Sequence, residues 1–392
     1  MGDSLKIGLV GKPNVGKSTF FKASTLKDVA IADYPFTTIE PNVGVAYVRA
    51  PCPHVQLGVQ CKPNQGECHD GVRFVPVELV DVAGLVPGAH EGRGLGNKFL
   101  DDLRRADALV HVVDASGSSN AEGQAVAPGT HDPMADVQFL EDEITWWIDG
   151  ILAKDWDRIF KRAQVSGEKL ETLLHEKLTF LGMSEKMVAA AIREGGLDHM
   201  LIAKAVRRLS KPILVAFNKS DKVPKERIAE LASRVGKTPW HATSADSEIA
   251  LRGAAKAGLI RYEPGGQTFD VADPARLNAK QKQALDYIRD HVLVPHGSTG
   301  VLPALEHAVY DLLKLIVVYP VEDDSKFTDK KGSVLPDAHL VPQGSTARDL
   351  AFRVHTQLGE HFIRAVDAKT KRVVGADHAL QPGDVIRIVA HA

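Results

Sequence analysis

The sequence predicts an α/β fold with a mainly parallel sheet, a helical insertion and a small α+β domain towards the C-terminal end. Three observations lead there. Mostly apolar runs at residues 5–10, 77–80, 108–113 and 212–217 have the length and continuity of strands covered on both faces, as in a parallel sheet. Between residues 133 and 210 the apolar positions change to helical spacing, as in Val137, Leu140, Ile144, Trp147, Ile148, Ile151 and Leu152. After Tyr319-Pro320, short alternating stretches surround one helix, which Thr346-Ala-Arg-Asp349 opens with a capping-box pattern.

The first apolar run leads through a glycine-bounded loop into a helix carrying Ser18-Thr-Phe-Phe-Lys22. The later runs each end at a polar residue. In an open α/β sheet the ligand sits beyond the carboxyl ends of the strands, so Lys17, Asp81, Asp114 and Asn218 should converge. In the helical insertion Trp147, flanked by Ile144 and Ile151 at helical spacing, reads as a packing residue rather than a ligand contact. A second interruption, at about 247–295, holds the loop-like Glu263-Pro-Gly-Gly-Gln267 and a charged helical stretch at 278–292. Ser298-Thr-Gly-Val301 then opens an amphipathic helix reaching about residue 315. The expected organisation is one α/β domain made of residues 1–132 and 211–316, an insertion at 133–210 and a terminal domain at 317–392. No fixed-period repeat interrupts it.

A chain of 392 residues is too long for a single ordinary core, and its 44% hydrophobic and 25% charged residues are those of a globular protein. Forty-eight basic against 50 acidic side chains leave a net charge of −2, so no global field attracts nucleic acid. Residues 317–392 are balanced too, with ten of each sign. No apolar run approaches the roughly 18 residues of a membrane span, and the first six residues lack a signal-peptide pattern. Three cysteines, an odd number confined to positions 52–68, argue against a disulfide framework and for a reducing compartment, the cytoplasm.

Gly11-Lys-Pro-Asn-Val-Gly-Lys-Ser18 has the G-x-x-x-x-G-K-[ST] pattern of a phosphate-binding P-loop, placed between a predicted strand and a predicted helix. Glycines there let backbone N–H groups face phosphates, with the positive end of the helix behind them. Asn14, Val15, Gly16, Lys17, Ser18 and Thr19 are the expected cradle, with Lys17 on the β- and γ-phosphates and Ser18 offering a hydroxyl to Mg²⁺. Asp81-Val-Ala-Gly84 would bring a carboxylate to the Mg²⁺ water shell and a glycine amide to the γ-phosphate. Asn218-Lys-Ser-Asp221 follows the last apolar run. Its aspartate can accept both the N1–H and the exocyclic amine of guanine, a donor pair that adenine lacks. Asn218 and Lys219 would tie this loop to the P-loop, and Ser244-Ala245 would offer a backbone N–H to the guanine carbonyl.

Cys52, His54, Cys61, Cys68 and His69 offer enough sulfur and imidazole for one tetrahedral Zn²⁺. The set taken as candidate ligands is Cys52, Cys61, Cys68 and His69. The spacing is irregular and contains no Cys-x-x-Cys pair, so buried or free thiols in a loop are the alternative.

The order of the P-loop, the aspartate-glycine motif, Asn218 to Asp221 and Ser244-Ala245 resembles that of translation-factor-related GTPases. More narrowly, Ala32-Asp-Tyr-Pro-Phe-Thr-Thr38 with Pro41-Asn-Val-Gly44 resembles the first switch of the Obg group. Asp81-Val-Ala-Gly-Leu-Val-Pro-Gly-Ala89 with Gly94-Leu-Gly-Asn-Lys-Phe-Leu100 resembles its second. The whole is most similar to the YchF branch, in an archaeal-type form. Leu340-Val-Pro-Gln-Gly-Ser-Thr-Ala-Arg-Asp-Leu350, Val354-His355 and Pro382-Gly-Asp-Val-Ile386 resemble a TGS domain of ubiquitin-like β-grasp fold.

The resemblance implies a P-loop NTPase G domain that binds GTP and GDP, hydrolyses GTP with Mg²⁺ and acts as a switch on the ribosome or another RNA assembly through its TGS domain. It implies that Thr38, with Thr37 as the alternative, joins Ser18 and Asp81 around Mg²⁺; Lys17, Thr38 and Gly84 are expected to serve the reaction, with His90 as a further candidate. Bacterial and eukaryotic YchF proteins depart from Asn-Lys-x-Asp and prefer ATP, whereas this chain keeps Asn218, Lys219 and Asp221. Leu85 stands where many GTPases place a water-orienting glutamine, so His90, Arg93, a cation or a partner must supply that function, with a solvated loop side chain as the alternative for both residues. Asn14 resembles the P-loop asparagine of potassium-dependent GTPases, whose side-chain oxygen helps to hold K⁺, although an asparagine there can also simply brace the loop. A monomer without a membrane or DNA partner is expected. The rival readings are an ATPase of the YchF type and a nucleotide-binding module with negligible turnover.

Overall fold

The computed structural model describes residues 5–25, 42–82 and 96–391. The strands run in the order β1 (Lys6–Val10), β2 (Val43–Pro51), β3 (Cys68–His69), β4 (Val72–Asp81), β5 (Ala108–Asp114), β6 (Ile213–Asn218) and β7 (Trp240–Ala242). A short antiparallel pair follows, β8 (Ile260–Arg261) with β9 (Asp270–Val271). The last five are β10 (Leu315–Val321), β11 (His339–Pro342), β12 (Phe362–Asp367), β13 (Arg372–Val374) and β14 (Val385–Ala390). Among the described residues, 6–24, 79–82 and 96–308 form one compact unit, and 5, 25, 42–78 and 309–391 form another.

In the first of these the strand order is β4-β1-β5-β6-β7, with β4 contributing only its end. The β1–β5, β5–β6 and β6–β7 pairs are parallel, in registers such as Ile7↔Ala108, Leu109↔Ile213 and Val215↔Trp240. Every residue of β5 and β6 is buried, which is why their sequences read as unbroken apolar runs rather than alternating ones. Their carboxyl ends deliver Asp114 and Asn218 side by side, since these two are register partners.

Helix α1 (Lys17–Ser24) follows β1 through the glycine-bounded loop. Two further short helices are α2 (His54–Leu57) and α3 (Gly96–Arg105), and the insertion opens with α4 (Pro133–Ala153). Asp132 caps α4 by accepting from the Met134 amide, and Pro133 fits the first turn, where no N–H partner is needed. Four more helices complete the insertion: Trp156–Ser166, Leu170–Leu178, Glu185–Gly195 and His199–Ser210. Leu140, Ile144, Ile148 and Leu152 of α4 are buried at helical spacing. Trp147 meets Phe180 edge-on at 6.0 Å, in the packing role its spacing suggested.

In the other unit β3 pairs antiparallel with β4, and β2 lies beside β4. The C-terminal strands form a separate five-stranded sheet in the order β11-β10-β14-β12-β13, with β10 and β14 parallel. The helix Ala347–Val354 packs Leu350 and Ala347 against Ile316, Val318, Ala365 and Ile386 of this sheet, as in a β-grasp domain. Its capping box forms as the sequence suggested, Thr346 accepting from the Asp349 amide and Asp349 from the Thr346 amide. The preceding amphipathic helix spans Val301–Glu306 and continues as a π-helix over His307–Leu312, after which β10 begins.

His111, in the middle of β5, is the one imidazole in that apolar run. Burial, helped by the nearby Lys12 charge, pushes its pKa down to about 3, and its Nδ1 has no partner. The unfolded chain protonates this ring near about pH 6.5 and the folded one does not, so stability is complete above that value and falls as pH drops towards 3. His111→Leu should therefore flatten the loss of folding free energy between about pH 6 and 4, measured by urea titration at each pH. An unchanged slope would show that the ring does not control it.

Candidate functional site

The P-loop is shaped by a close approach. Gly16 has φ +93°, and a Cβ there would lie 2.3 Å from Asn218 Nδ2, so only glycine lets the loop pass the β6 terminus. Phe20 N donates to Gly16 O at 2.8 Å as α1 begins, leaving the amides of the first turn facing the loop. Ser18 is exposed, and Lys17 is ion-paired with Asp81 from the end of β4. Lys17 and Asp81, far apart in sequence, thus meet as the parallel-sheet argument required.

The loop after β6 is attached to the P-loop by two side chains. Asn218 Nδ2 donates to Val15 O at 2.9 Å, while Asn218 Oδ1 accepts from the Ala245 amide at 3.2 Å. Lys219 Nζ donates to Asn14 O at 2.9 Å and pairs with Asp114 Oδ2 at 2.7 Å. Burial alone would raise the Asp114 carboxyl, but Lys219 and the hydroxyls of Ser116 and Ser118 outweigh it and hold the group below the usual carboxylate range. Asp221 accepts from Ser244 Oγ at 2.8 Å through Oδ1. Its backbone carbonyl accepts from Tyr287 Oη at 2.8 Å, and that ring stacks on His291 at 4.3 Å.

Several of these contacts had no signal in the sequence. Tyr287 looks like an ordinary residue of a charged helix. Lys12, inside the P-loop motif at a position open to any residue, is buried and paired with Asp136 of α4 at 2.8 Å, and it also donates to Ser119 O at 2.8 Å. His131 approaches the same carboxylate at 2.7 Å. Asn14 has φ +65° and donates Nδ2 to Gly123 O at 2.7 Å; its Oδ1 makes no hydrogen bond among the described residues. Thr38, Gly84, Leu85, His90 and Arg93 lie outside the described residues, as do Thr37 and most of both switch motifs.

The cysteine-rich segment does not assemble as the sequence suggested. Cys52, Cys61 and Cys68 come together with His54, their ligand atoms all within 4.8 Å of one another. His69, the expected fourth member, turns away to Glu67, 2.6 Å from Oε2. Cys68 and His69 are consecutive residues of strand β3, so their side chains leave on opposite faces.

Family models match in three places: the 50S ribosome-binding GTPases over residues 6–137, the Obg-like GTPase YGR210-like, G4 motif-containing domain over 216–323, and the TGS domain over 326–390. An uncharacterized GTP-binding protein of Methanocaldococcus jannaschii is 50% identical over 395 residues, covering 98% of this chain and 99% of that protein. The chain belongs to the Obg-like, YchF-type GTPases. Within this family, the ribosome-binding ATPase YchF of Haemophilus influenzae is 30% identical, with 97% of this chain and 98% of that one covered. The crystal structure of a GTP-binding protein from Pyrococcus horikoshii matches with a TM-score of 0.77 at 41% identity, over 99% of this chain and 100% of that one. The Schizosaccharomyces pombe YchF GTPase shares the fold, with a TM-score of 0.61 at 20% identity over 99% and 98% of the two chains. A P-loop G domain, a helical insertion and a C-terminal TGS domain are thus the family architecture of this protein, and nucleotide binding is its shared property.

Replacing Asn218 by alanine removes these two bonds and a longer one from Thr243 Oγ1 at 3.5 Å, and leaves the Val15 carbonyl and the Ala245 amide buried without that partner. Asn218→Ala should cost about 2–4 kcal/mol in folding stability and weaken nucleotide binding at least tenfold. Urea unfolding and titration with a fluorescent nucleotide measure the two. Binding at parental strength would show that the loops hold their positions without this amide.

Proposed function

We propose that the protein binds GTP in preference to ATP and hydrolyses it to GDP and phosphate with Mg²⁺, as a switch acting on the ribosome. The observation that carries this reading is Asp221. Ser244 orients its carboxylate from one side, and Oδ2 makes no hydrogen bond among the described residues. A carboxylate so placed can take the two adjacent N–H donors of guanine, whereas adenine offers it one amino donor beside a ring-nitrogen acceptor that repels it.

The phosphate end supports the same reading. Lys17 and Asp81 neutralise one another, and a magnesium triphosphate gives each a new partner: the β- and γ-phosphates for Lys17, the water shell of the ion for Asp81. The Ser18 hydroxyl and the Asp81 carboxylate are hard oxygen donors that suit Mg²⁺, which neutralises charge on the transferring phosphoryl group. Asn14 to Thr19 hold the phosphates, and Asn218, Lys219, Asp221, Ser244 and Ala245 surround the base. Thr38 and Gly84 complete the switch by family resemblance, ordered by the γ-phosphate and released on hydrolysis. With leucine at position 85, His90, Arg93 or K⁺ supplies the charge or the water placement that glutamine gives elsewhere.

K⁺ is supported by Asn14, whose Nδ2 is committed to Gly123 O while Oδ1 remains available as a ligand. The ribosome is supported by the description of the family model over residues 6–137 and by the name of the Haemophilus relative. A ribosomal partner places the work in the cytoplasm, and among the described residues no helix is long and apolar enough to cross a membrane. The TGS domain is the proposed RNA contact, and a monomer is the proposed working form. ATP is the rival nucleotide because that relative is named an ATPase.

Competitive titration decides between the nucleotides. GTP should bind at least tenfold more tightly than ATP, and Asp221→Asn should shift preference towards xanthine nucleotide, whose extra carbonyl can pair with an amide donor. Tighter ATP binding in the parent protein would overturn the guanine assignment. Lys17→Ala should reduce phosphate release by about 10²-fold or more, because the transferring group loses a cation aimed at it. Hydrolysis should also run faster in K⁺ than in Na⁺ at equal ionic strength and saturating GTP, since the smaller ion fits the same oxygen cage poorly. Equal rates would leave the missing charge to His90, Arg93 or a partner. Co-sedimentation with ribosomes should be stronger with a non-hydrolysable GTP analogue than with GDP, and equal recovery in both states would count against the switch.

A further inference from the structure

We propose that Cys52, His54, Cys61 and Cys68 hold one structural Zn²⁺, which fixes the turn-rich segment against which part of the TGS domain is seated. The four ligand atoms lie within 4.8 Å of one another, and His54 Nδ1 is 3.6 Å from Cys68 Sγ. Tetrahedral zinc with bonds of about 2.3 Å to sulfur places its ligands about 3.7 Å apart, so a contraction of about 1 Å or less closes the site. Cys52 and Cys61 are buried, all three thiols are free, and their soft sulfurs with one imidazole suit zinc rather than Mg²⁺ or Ca²⁺.

The chain is folded to bring these residues together. Pro51 and Pro53 flank Cys52, whose amide donates to Gly71 O at 2.8 Å. Gly71 belongs to the Asp70-Gly71 turn that joins β3 to β4, both residues having positive φ as a two-residue hairpin demands. That hairpin sets Cys68 across from Arg73.

Arg73 is the second, independent sign of a metal. It is fully buried, and its guanidinium donates only to two carbonyls, Leu335 O at 3.1 Å and Pro336 O at 2.8 Å, with no carboxylate paired to it among the described residues. A buried cation without a counter-charge is costly. Zn²⁺ bound by three thiolates and a neutral imidazole carries a net charge of −1, and Arg73 across the hairpin balances it.

The zinc-bearing segment is also a seat. The Lys62 amide donates to Val334 O at 2.8 Å and the Asn64 amide to Pro336 O at 2.9 Å, alongside the two bonds from Arg73. Between Cys61 and Cys68 the chain has neither helix nor ladder to hold these amides in place. A metal clasp at both ends of that stretch supplies the constraint.

The test begins with metal analysis of the full chain purified under reducing conditions without chelator, where about one zinc per chain is expected. Cys61→Ser with Cys68→Ser should lose it, and His54→Ala should weaken retention against a chromogenic chelator at least tenfold, whereas His69→Ala should retain zinc as the parent does. Stripping the metal should raise hydrogen exchange at the Lys62 and Asn64 amides and leave that of Val215 in β6 unchanged. If the double cysteine variant does not fold, the parent's metal content and the two histidine variants still decide. Folded parent protein without zinc, iron in its place, a disulfide among the three cysteines, or zinc loss in His69→Ala equal to that in His54→Ala would each overturn the proposal. Unchanged exchange at Lys62 and Asn64 after zinc removal would overturn the seating role.

Discussion

The carboxamide of Asn218 donates to the carbonyl of Val15 and accepts from the amide of Ala245, so three loops distant in sequence share one buried group. An amide is suited to this because it carries a donor and an acceptor on one rigid plane. The contact is also why residue 16 must be glycine: a methyl group there would occupy the Asn218 nitrogen's place. Loop geometry at the phosphates and loop geometry at the base are therefore one constraint. Lys219 strengthens the link by spanning Asn14 and Asp114, the register partner of Asn218 on the neighbouring strand.

Around this contact the parallel sheet acts as the frame. Its central strands are buried throughout, so their positions follow from apolar packing, and the polar residues at their ends inherit that precision. Lys12 extends the frame to the helical insertion through its buried pair with Asp136. Removing one partner of such a pair leaves a stranded charge, which costs about 3–5 kcal/mol, so the P-loop and α4 are not independent in energy. His111 sits in the middle of the fully buried β5, and its depressed pKa follows from that position.

The second compact unit follows a different logic. Segment 52–69 has little regular structure; its Lys62 and Asn64 amides donate to residues 334 and 336, and the buried Arg73 of the adjoining β4 donates to residues 335 and 336. Hydrogen bonds of that kind hold only if the segment offering them is itself held. The three thiols and His54 converge on a point, and the proposed zinc bound there would supply such rigidity without a hydrophobic core.

The sequence by itself determined the parallel sheet, the helical insertion, the capped helix of the β-grasp domain and the family, because each is written in neighbouring residues: unbroken apolar runs, helical spacing, a capping box and contiguous motifs. The meeting of Lys17 with Asp81 and of Asn218 with the P-loop followed from the sheet, since parallel strands deliver their carboxyl ends to one edge. Only the tertiary structure decided that His54 rather than His69 joins the cysteines. Strand alternation removes His69, but that strand's existence rests on a turn and a pairing that the irregular spacing did not announce. Arg73 beneath the carbonyls of Leu335 and Pro336, Lys12 against Asp136, and Tyr287 beneath Asp221 were illegible for the same reason. Periodicity and local hydrogen bonding are properties of a short stretch of chain, whereas the partner of a buried charge depends on where distant segments return after the core has packed.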